Sequence, residues 1–223
     1  MKFHSFLYYF FPKRCPACKN LIPPDSFFCD SCVLEYLSLV RSDSIKGLDF
    51  PAYFVADYSG CVKKAIHKFK ISGVTSIRHD IARDMSRLYF SKMAALNPDV
   101  MIPAPSHKSS YFKNGYSHTD LLAREISKII NVSYCKGALV KTVKTPPQHT
   151  LNLKERTQNL SGAFSVPDSK LPLIKGKNVL LIDDISTTGS TLKECEKTLK
   201  NHGAASVSAL LFASTENIFN GNI

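Results

Sequence analysis

The sequence predicts an α/β fold: a parallel sheet flanked by helices, preceded by a small metal-stabilised module. Three observations predict it. Short apolar runs rich in branched residues, at 179–182 and 207–212, suit strands buried on both faces of a parallel sheet. Stretches with apolar residues at helical spacing, such as 192–199, alternate with them. Two CxxC pairs, Cys15 with Cys18 and Cys29 with Cys32, lie close together near the N-terminus, a spacing that favours metal in a reducing compartment over a disulfide framework.

The 223 residues can bury one good core plus a small appendage. Lys and Arg number 29 against 18 Asp and Glu, giving a net charge of +11 spread along the chain. Polyphosphate ligands and nucleic acid fit such a surface, and so does an ordinary basic soluble protein. The apolar run within 1–14 is too short and too aromatic for a usual signal peptide. No window holds the roughly 18 apolar residues of a membrane span. A cytoplasmic protein is expected. Phe6 to Phe11 either packs against the next domain or gives a peripheral foothold at the inner membrane.

In the first module, each CxxC turn can aim two thiolates at one ion. Together the four satisfy tetrahedral Zn²⁺ and leave no position open for chemistry. A structural zinc ribbon follows, because a segment so poor in aliphatics could not hold a fold otherwise. Redox-active pairs or an iron–sulfur cluster are the alternatives. The ribbon can contact DNA or a protein partner. A helix over 33–40 leads to a boundary near 42–50, which divides a zinc-ribbon module at 1–45 from a second domain at 50–218.

Beyond the boundary the pattern gives a strand over 53–58 and helices over 62–69 and 77–90. Lys63, Lys64, Lys68 and Lys70 crowd the first of these helices, by default as a solvated face. Residues 99–105 run from a strand into a loop made rigid by Pro103 and Pro105. A helix over 121–130 and a strand end at 139–143 come next. The polar, basic stretch 144–161 is long for a loop in a compact domain, which marks it as functional or disordered. Cys61, Cys135 and Cys195 are expected as small buried residues.

The densest chemistry is 179–191. Its apolar strand is expected to end at Asp183 and Asp184. Ser186, Thr187, Thr188, Gly189, Ser190 and Thr191 then lead into the helix at 192–199. That order gathers backbone N–H groups, hydroxyls and the positive end of a helix around one anion site. A bare phosphate would gain nothing from two carboxylates, whereas a ligand with vicinal hydroxyls beside its phosphate would donate to them. The stretch therefore reads as a ribose 5-phosphate site, and it lacks the pattern of a nucleotide P-loop. A strand end followed by an ordinary N-cap is the plainer alternative.

Residues 179–191 resemble the phosphoribosyl-pyrophosphate (PRPP) motif of type I phosphoribosyltransferases. With the paired cysteines, the resemblance narrows to the ComF family. It implies a type I phosphoribosyltransferase-like sheet domain behind a four-cysteine zinc ribbon, binding PRPP with Mg²⁺. Asp183 and Asp184 would be the catalytic carboxylates on the ribose hydroxyls, and Ser186 to Thr191 would hold the 5-phosphate. Pro103, His107, Lys141, Lys144, Arg156 and Lys70 fall where the family lines the pyrophosphate or carries its mobile lid. Where the family continues with several arginines and a Gly-Phe-Asn-Gln run, this chain has Ser109, Ser110 and then Gly115-Tyr116-Ser117-His118. The implied role is in natural transformation, handling incoming single-stranded DNA alongside competence-machinery proteins. A non-catalytic ribose-phosphate or DNA-binding protein on the same fold is the alternative, followed by a nucleobase salvage enzyme.

Overall fold

The structure is a computed structural model that describes residues 12–71, 74–105, 116–142 and 162–215. In chain order its elements are α1 (Asp30–Leu39), β1 (Val40–Ser44), β2 (Ala52–Asp57), α2 (Gly60–Ile71), α3 (Ile77–Leu88), β3 (Val100–Pro103), α4 (His118–Ile130), β4 (Ser133–Tyr134), β5 (Val140–Lys141), β6 (Phe164–Ser165), β7 (Asn178–Ser186), α5 (Ser190–Asn201) and β8 (Ser206–Ser214). Six strands form one sheet in the order β1-β2-β8-β7-β3-β4. It is parallel from β2 to β4, with β1 antiparallel at its edge. β5 and β6 pair separately.

Alternation along the central strands divides the core. Leu180, Ile182, Leu210 and Phe212 face Ile66, Phe69, Met85, Leu122 and Ile126 of α2, α3 and α4. Val179, Leu181, Ala209 and Leu211 face Leu192, Cys195 and Leu199 of α5. The central strands β7 and β8 are thus buried on both faces, as unbroken apolar runs require. Cys61, Cys135 and Cys195 are all buried thiols.

The cysteine module shares the first of these cores. Phe27 and Tyr36 lie 6.2 and 6.5 Å, ring to ring, from Phe212. The Tyr36 hydroxyl donates to Asp84 on α3 at 2.7 Å, and Lys13 Nζ reaches Asp80 at 2.8 Å. Among the described residues no helix is long and apolar enough to cross a membrane.

One reading of the sequence is corrected. The strand expected to stop at Asp183 runs on to Ser186, because β8 keeps pairing with it as far as Ser186 opposite Ser214. At the start of the expected boundary region lies β1, which the free edge of β2 takes up by antiparallel pairing. The strand end at 139–143 is narrower than its pattern, covering Val140–Lys141 opposite Phe164 and Ser165.

Candidate functional site

Parallel strands deliver their carboxyl ends to one edge of the sheet, where ligands of α/β folds bind. Pro103 ends β3 there, buried and opposite Ile182, and the next amide, Ala104 N, donates to Ile182 O at 2.8 Å. β7 presents Asp183 and Asp184 beside it, 9% and 4% exposed. Asp183 Oδ1 accepts from the amide of Asp184 at 2.8 Å. Asp184 Oδ1 lies 2.8 Å from Lys70 Nζ, which the last turn of α2 supplies.

The chain then turns through Thr187 to Gly189 into α5. Gly189 is the N-cap, with φ at 70°, a conformation that glycine adopts without the cost a side chain would bring. A Cβ there would also come within 3.2 Å of Leu48. Thr188 Oγ1 and Ser190 Oγ share a hydrogen bond of 2.8 Å, and Ser186 Oγ is buried with no partner among the described residues. Asp183 and residues 185–192 line a concavity of about 240 Å³, part of it open to solvent. Its floor holds one carboxyl group, its rim hydroxyls and the first amides of a helix. Such a lining suits a phosphorylated polyol.

The charges are arranged unequally. Burial, reinforced by the neighbouring Asp184, pushes the Asp183 carboxyl up to about 8, although Lys70 and the Asp184 amide pull the other way. Burial therefore favours the neutral form of Asp183. Burial is the largest single influence on the Lys70 ammonium and works against it, but Asp184, Asp183 and Tyr58 together raise the lysine above its ordinary value.

Sequence reasoning passed over two groups here. His118 opens α4 and is 5% exposed. Burial lowers its pKa, and it feels both Asp184 and Lys70. Tyr58, just after β2, is raised by burial and feels the same pair. The one sequence signal for His118 is that it stands at the end of the Gly-Tyr-Ser-His run. Tyr58 carries no such signal. Lys141 sits on the separate β5–β6 ribbon, its pKa lowered by burial, and it has no ion pair to either aspartate among the described residues. His107, Lys144 and Arg156 lie outside the described residues.

The four cysteines form a second constellation, with all Sγ atoms within 4.8 Å of one another. Cys18 and Cys29 are 3.4 Å apart. Tetrahedral Zn²⁺ with bonds of about 2.3 Å needs sulfurs about 3.8 Å apart, so the cluster fits a zinc site. The Ser31 hydroxyl and the Cys32 amide hold Cys29 down to about 6, toward the thiolate a metal requires.

Known proteins resemble this chain over much of its length. The family described as phosphoribosyl transferase domain matches residues 113–217. The DNA utilization protein YhgH of Shigella flexneri is 31% identical over 160 residues, covering 69% of this chain and 67% of that protein. Competence protein F of Haemophilus influenzae is 33% identical over 125 residues, covering 56% of this chain and 52% of its own. Competence protein ComFC of Bacillus subtilis is 29% identical over 156 residues, covering 70% and 60%.

Proposed function

Because the chain belongs to the ComF family of proteins built on a phosphoribosyltransferase fold, we propose that it binds PRPP with Mg²⁺ and acts in competence, in the cytoplasm, on incoming single-stranded DNA. One observation carries the ligand: the buried Asp183 carboxyl and a hydroxyl-rich helix N-terminus line a single concavity, with the buried Asp184 next to it in the chain. The 5-phosphate would take the amides and hydroxyls of 186–191, including the unpartnered Ser186 Oγ, at the positive end of α5. Asp184 would accept from a ribose hydroxyl, and the proton on Asp183 lets that group donate as well as accept. Lys70 would then turn from Asp184 toward the pyrophosphate and stabilise charge building on the departing group.

Mg²⁺, when bound, would neutralise the pyrophosphate. Among the described residues only the four cysteines gather three or more ligand atoms at one point, so Mg²⁺ would rest chiefly on the ligand's own oxygens and water. The zinc ribbon would be structural.

The DNA part of the reading is supported by what the relatives are named for, DNA utilization and competence, and by α2. That helix carries Lys63, Lys64 and Lys68 and no acidic residue, a stripe suited to phosphate contacts. Binding without turnover is the second reading. It is favoured by Ser109 and Ser110 standing where the family pattern has arginines.

Calorimetric titration of PRPP with Mg²⁺ into wild type and an Asp183→Ala, Asp184→Ala variant tests the ligand. Saturable binding by wild type that the variant lacks supports it; absence of wild-type binding removes it. A single-stranded oligonucleotide titrated at rising salt tests the DNA part, and an affinity indifferent to salt would sink it. Pyrophosphate release in the presence of DNA separates turnover from binding alone.

A further inference from the structure

A phosphate held by main-chain amides needs those N–H groups turned toward it, and a loop past the end of a strand has no ladder to turn them. β7 ends at Ser186, so no ladder fixes the peptides of Thr187 and Thr188. They are held from outside the loop. Thr215, the residue immediately after β8, bonds it twice. The Thr215 amide donates to Ser186 O at 3.1 Å, and the Thr215 hydroxyl donates to Thr187 O at 3.0 Å. Two successive carbonyls are therefore turned toward one residue.

The consequence follows from peptide geometry. None of the described peptide bonds is cis, and in a planar trans peptide the C=O and the following N–H point in opposite directions. With the Ser186 and Thr187 carbonyls turned toward Thr215, the amides of Thr187 and Thr188 are turned away from it. Neither amide has an acceptor among the described residues. Thr187 and Thr188 line the concavity, whereas Thr215 does not. Successive N–H groups on one side of a turn make a nest for an anion, here beside the unpartnered Ser186 Oγ and the positive start of α5.

We infer that Thr215 is a positioning residue for the phosphate loop: its hydroxyl holds the Thr187 carbonyl back, so that the Thr188 amide faces the concavity. This deepens the proposed function by assigning what aims the loop at the 5-phosphate. The purpose of the aim rests on that reading; the orientation of the peptide does not.

The test reads the peptide directly. Wild type, Thr215→Val, Thr215→Ala and Thr215→Ser are crystallised without ligand. Thr215→Val keeps the shape and loses the hydroxyl, and Thr215→Ser keeps the hydroxyl. The backbone amide of residue 215 remains in all four, so the Ser186 carbonyl is the internal reference. The Thr187 carbonyl should point at residue 215 in wild type and Thr215→Ser, and should rotate away, or take two orientations, in Thr215→Val and Thr215→Ala. A Thr187 carbonyl that keeps its direction in Thr215→Val overturns the inference.

The second arm is calorimetric titration of ribose 5-phosphate and of PRPP into the same four proteins. Losing one neutral hydrogen bond shifts an orientation equilibrium by about fivefold. Thr215→Val and Thr215→Ala should therefore weaken both ligands by at least about fivefold, by similar factors because both carry the 5-phosphate, while Thr215→Ser stays within about twofold of wild type. A loss confined to PRPP would place the effect at the pyrophosphate, and an equal loss in Thr215→Ser would make the hydroxyl irrelevant; either overturns the inference. If wild type binds neither ligand while the Thr187 carbonyl still follows the Thr215 hydroxyl, the ligand reading fails and the positioning of the peptide stands. Should Thr215→Val fail to fold, Thr215→Ala decides by the same two measurements.

Discussion

Lys70 Nζ and Asp184 Oδ1 stand 2.8 Å apart, joining the end of α2 to β7 beside the proposed ligand site. The pair matches one carboxylate with an ammonium, while burial favours the neutral form of its neighbour, Asp183. Two adjacent buried carboxylates would otherwise repel each other at close range in a medium of low polarity. A ligand bringing hydroxyls to Asp184 and phosphates to Lys70 would replace this internal pairing with one of its own.

Asp184→Asn tests that exchange. The amide keeps the size, loses the charge and leaves Lys70 without its partner. Hydrogen bonds to a charged acceptor are worth about 1.5–3 kcal/mol, so PRPP affinity should fall by roughly 10- to 150-fold. Calorimetry would show it. Affinity unchanged or improved in Asp184→Asn would mean that no ligand hydroxyl reaches this carboxylate.

The protonated Asp183 makes stability depend on pH with a fixed sign. Its folded pKa, about 8, lies above the ordinary value of 3.8, so between those limits the folded state binds more protons than the unfolded chain. Stability from this group is complete below about pH 4 and is lost progressively as pH rises to about 8. Urea midpoints for wild type should therefore decline from about pH 5 to about pH 8 more steeply than those of Asp183→Asn, which has no proton to lose. Parallel declines in the two proteins would show that Asp183 is not protonated in the fold.

How much of this was legible in the sequence follows from the range of the interactions. The loop from Ser186 to Thr191 and the two CxxC pairs are local patterns, and the hydroxyls, glycine and thiols lie together as the spacing implied. Strand length was not local: Asp183 and Asp184 look like a polar stop, yet Leu211 and Ala213 of β8 continue the ladder past them. The Lys70–Asp184 pair depends on how α2 crosses the sheet, which no periodicity records, so by its residues alone Lys70 looked like one more surface lysine beside Lys63 and Lys64. His118 carried only a weak local cue, because its ring neighbour Phe69 lies on a different helix.

Metal removal should reach beyond the cysteine module. Phe27 and Tyr36 pack on Phe212 of β8, and Tyr36 bonds Asp84, so a loosened module withdraws apolar cover from the sheet. Purified protein should carry one zinc per chain by atomic emission, and Cys32→Ser should lose it. If the loss costs about 3 kcal/mol, a modest share of what zinc contributes in small peptides, the midpoint falls by about 6–12 °C in a chain of this size. Full zinc content in Cys32→Ser, or an unchanged midpoint without zinc, would show that the ribbon is held by packing alone.

The junction between module and sheet domain makes the last prediction. Glu35 on α1 accepts a hydrogen bond from Cys61 N at 3.2 Å, satisfying a free amide in the first turn of α2 as an N-cap would. Gly60, beside it, has φ at 46°, and a Cβ there would strike the Glu35 carboxylate. Glu35→Ala should cost about 1 kcal/mol through the lost cap. Gly60→Ala should cost more, combining about 1–2 kcal/mol for the left-handed backbone with the collision. The double variant is the decisive measurement, because removing Glu35 also removes what the new methyl would strike. Measured by urea unfolding, it should be more stable than the two single losses added together imply, by about 0.5 kcal/mol or more. Strict additivity would show that Glu35 swings clear at no cost, and that the carboxylate does not hold α2 in place.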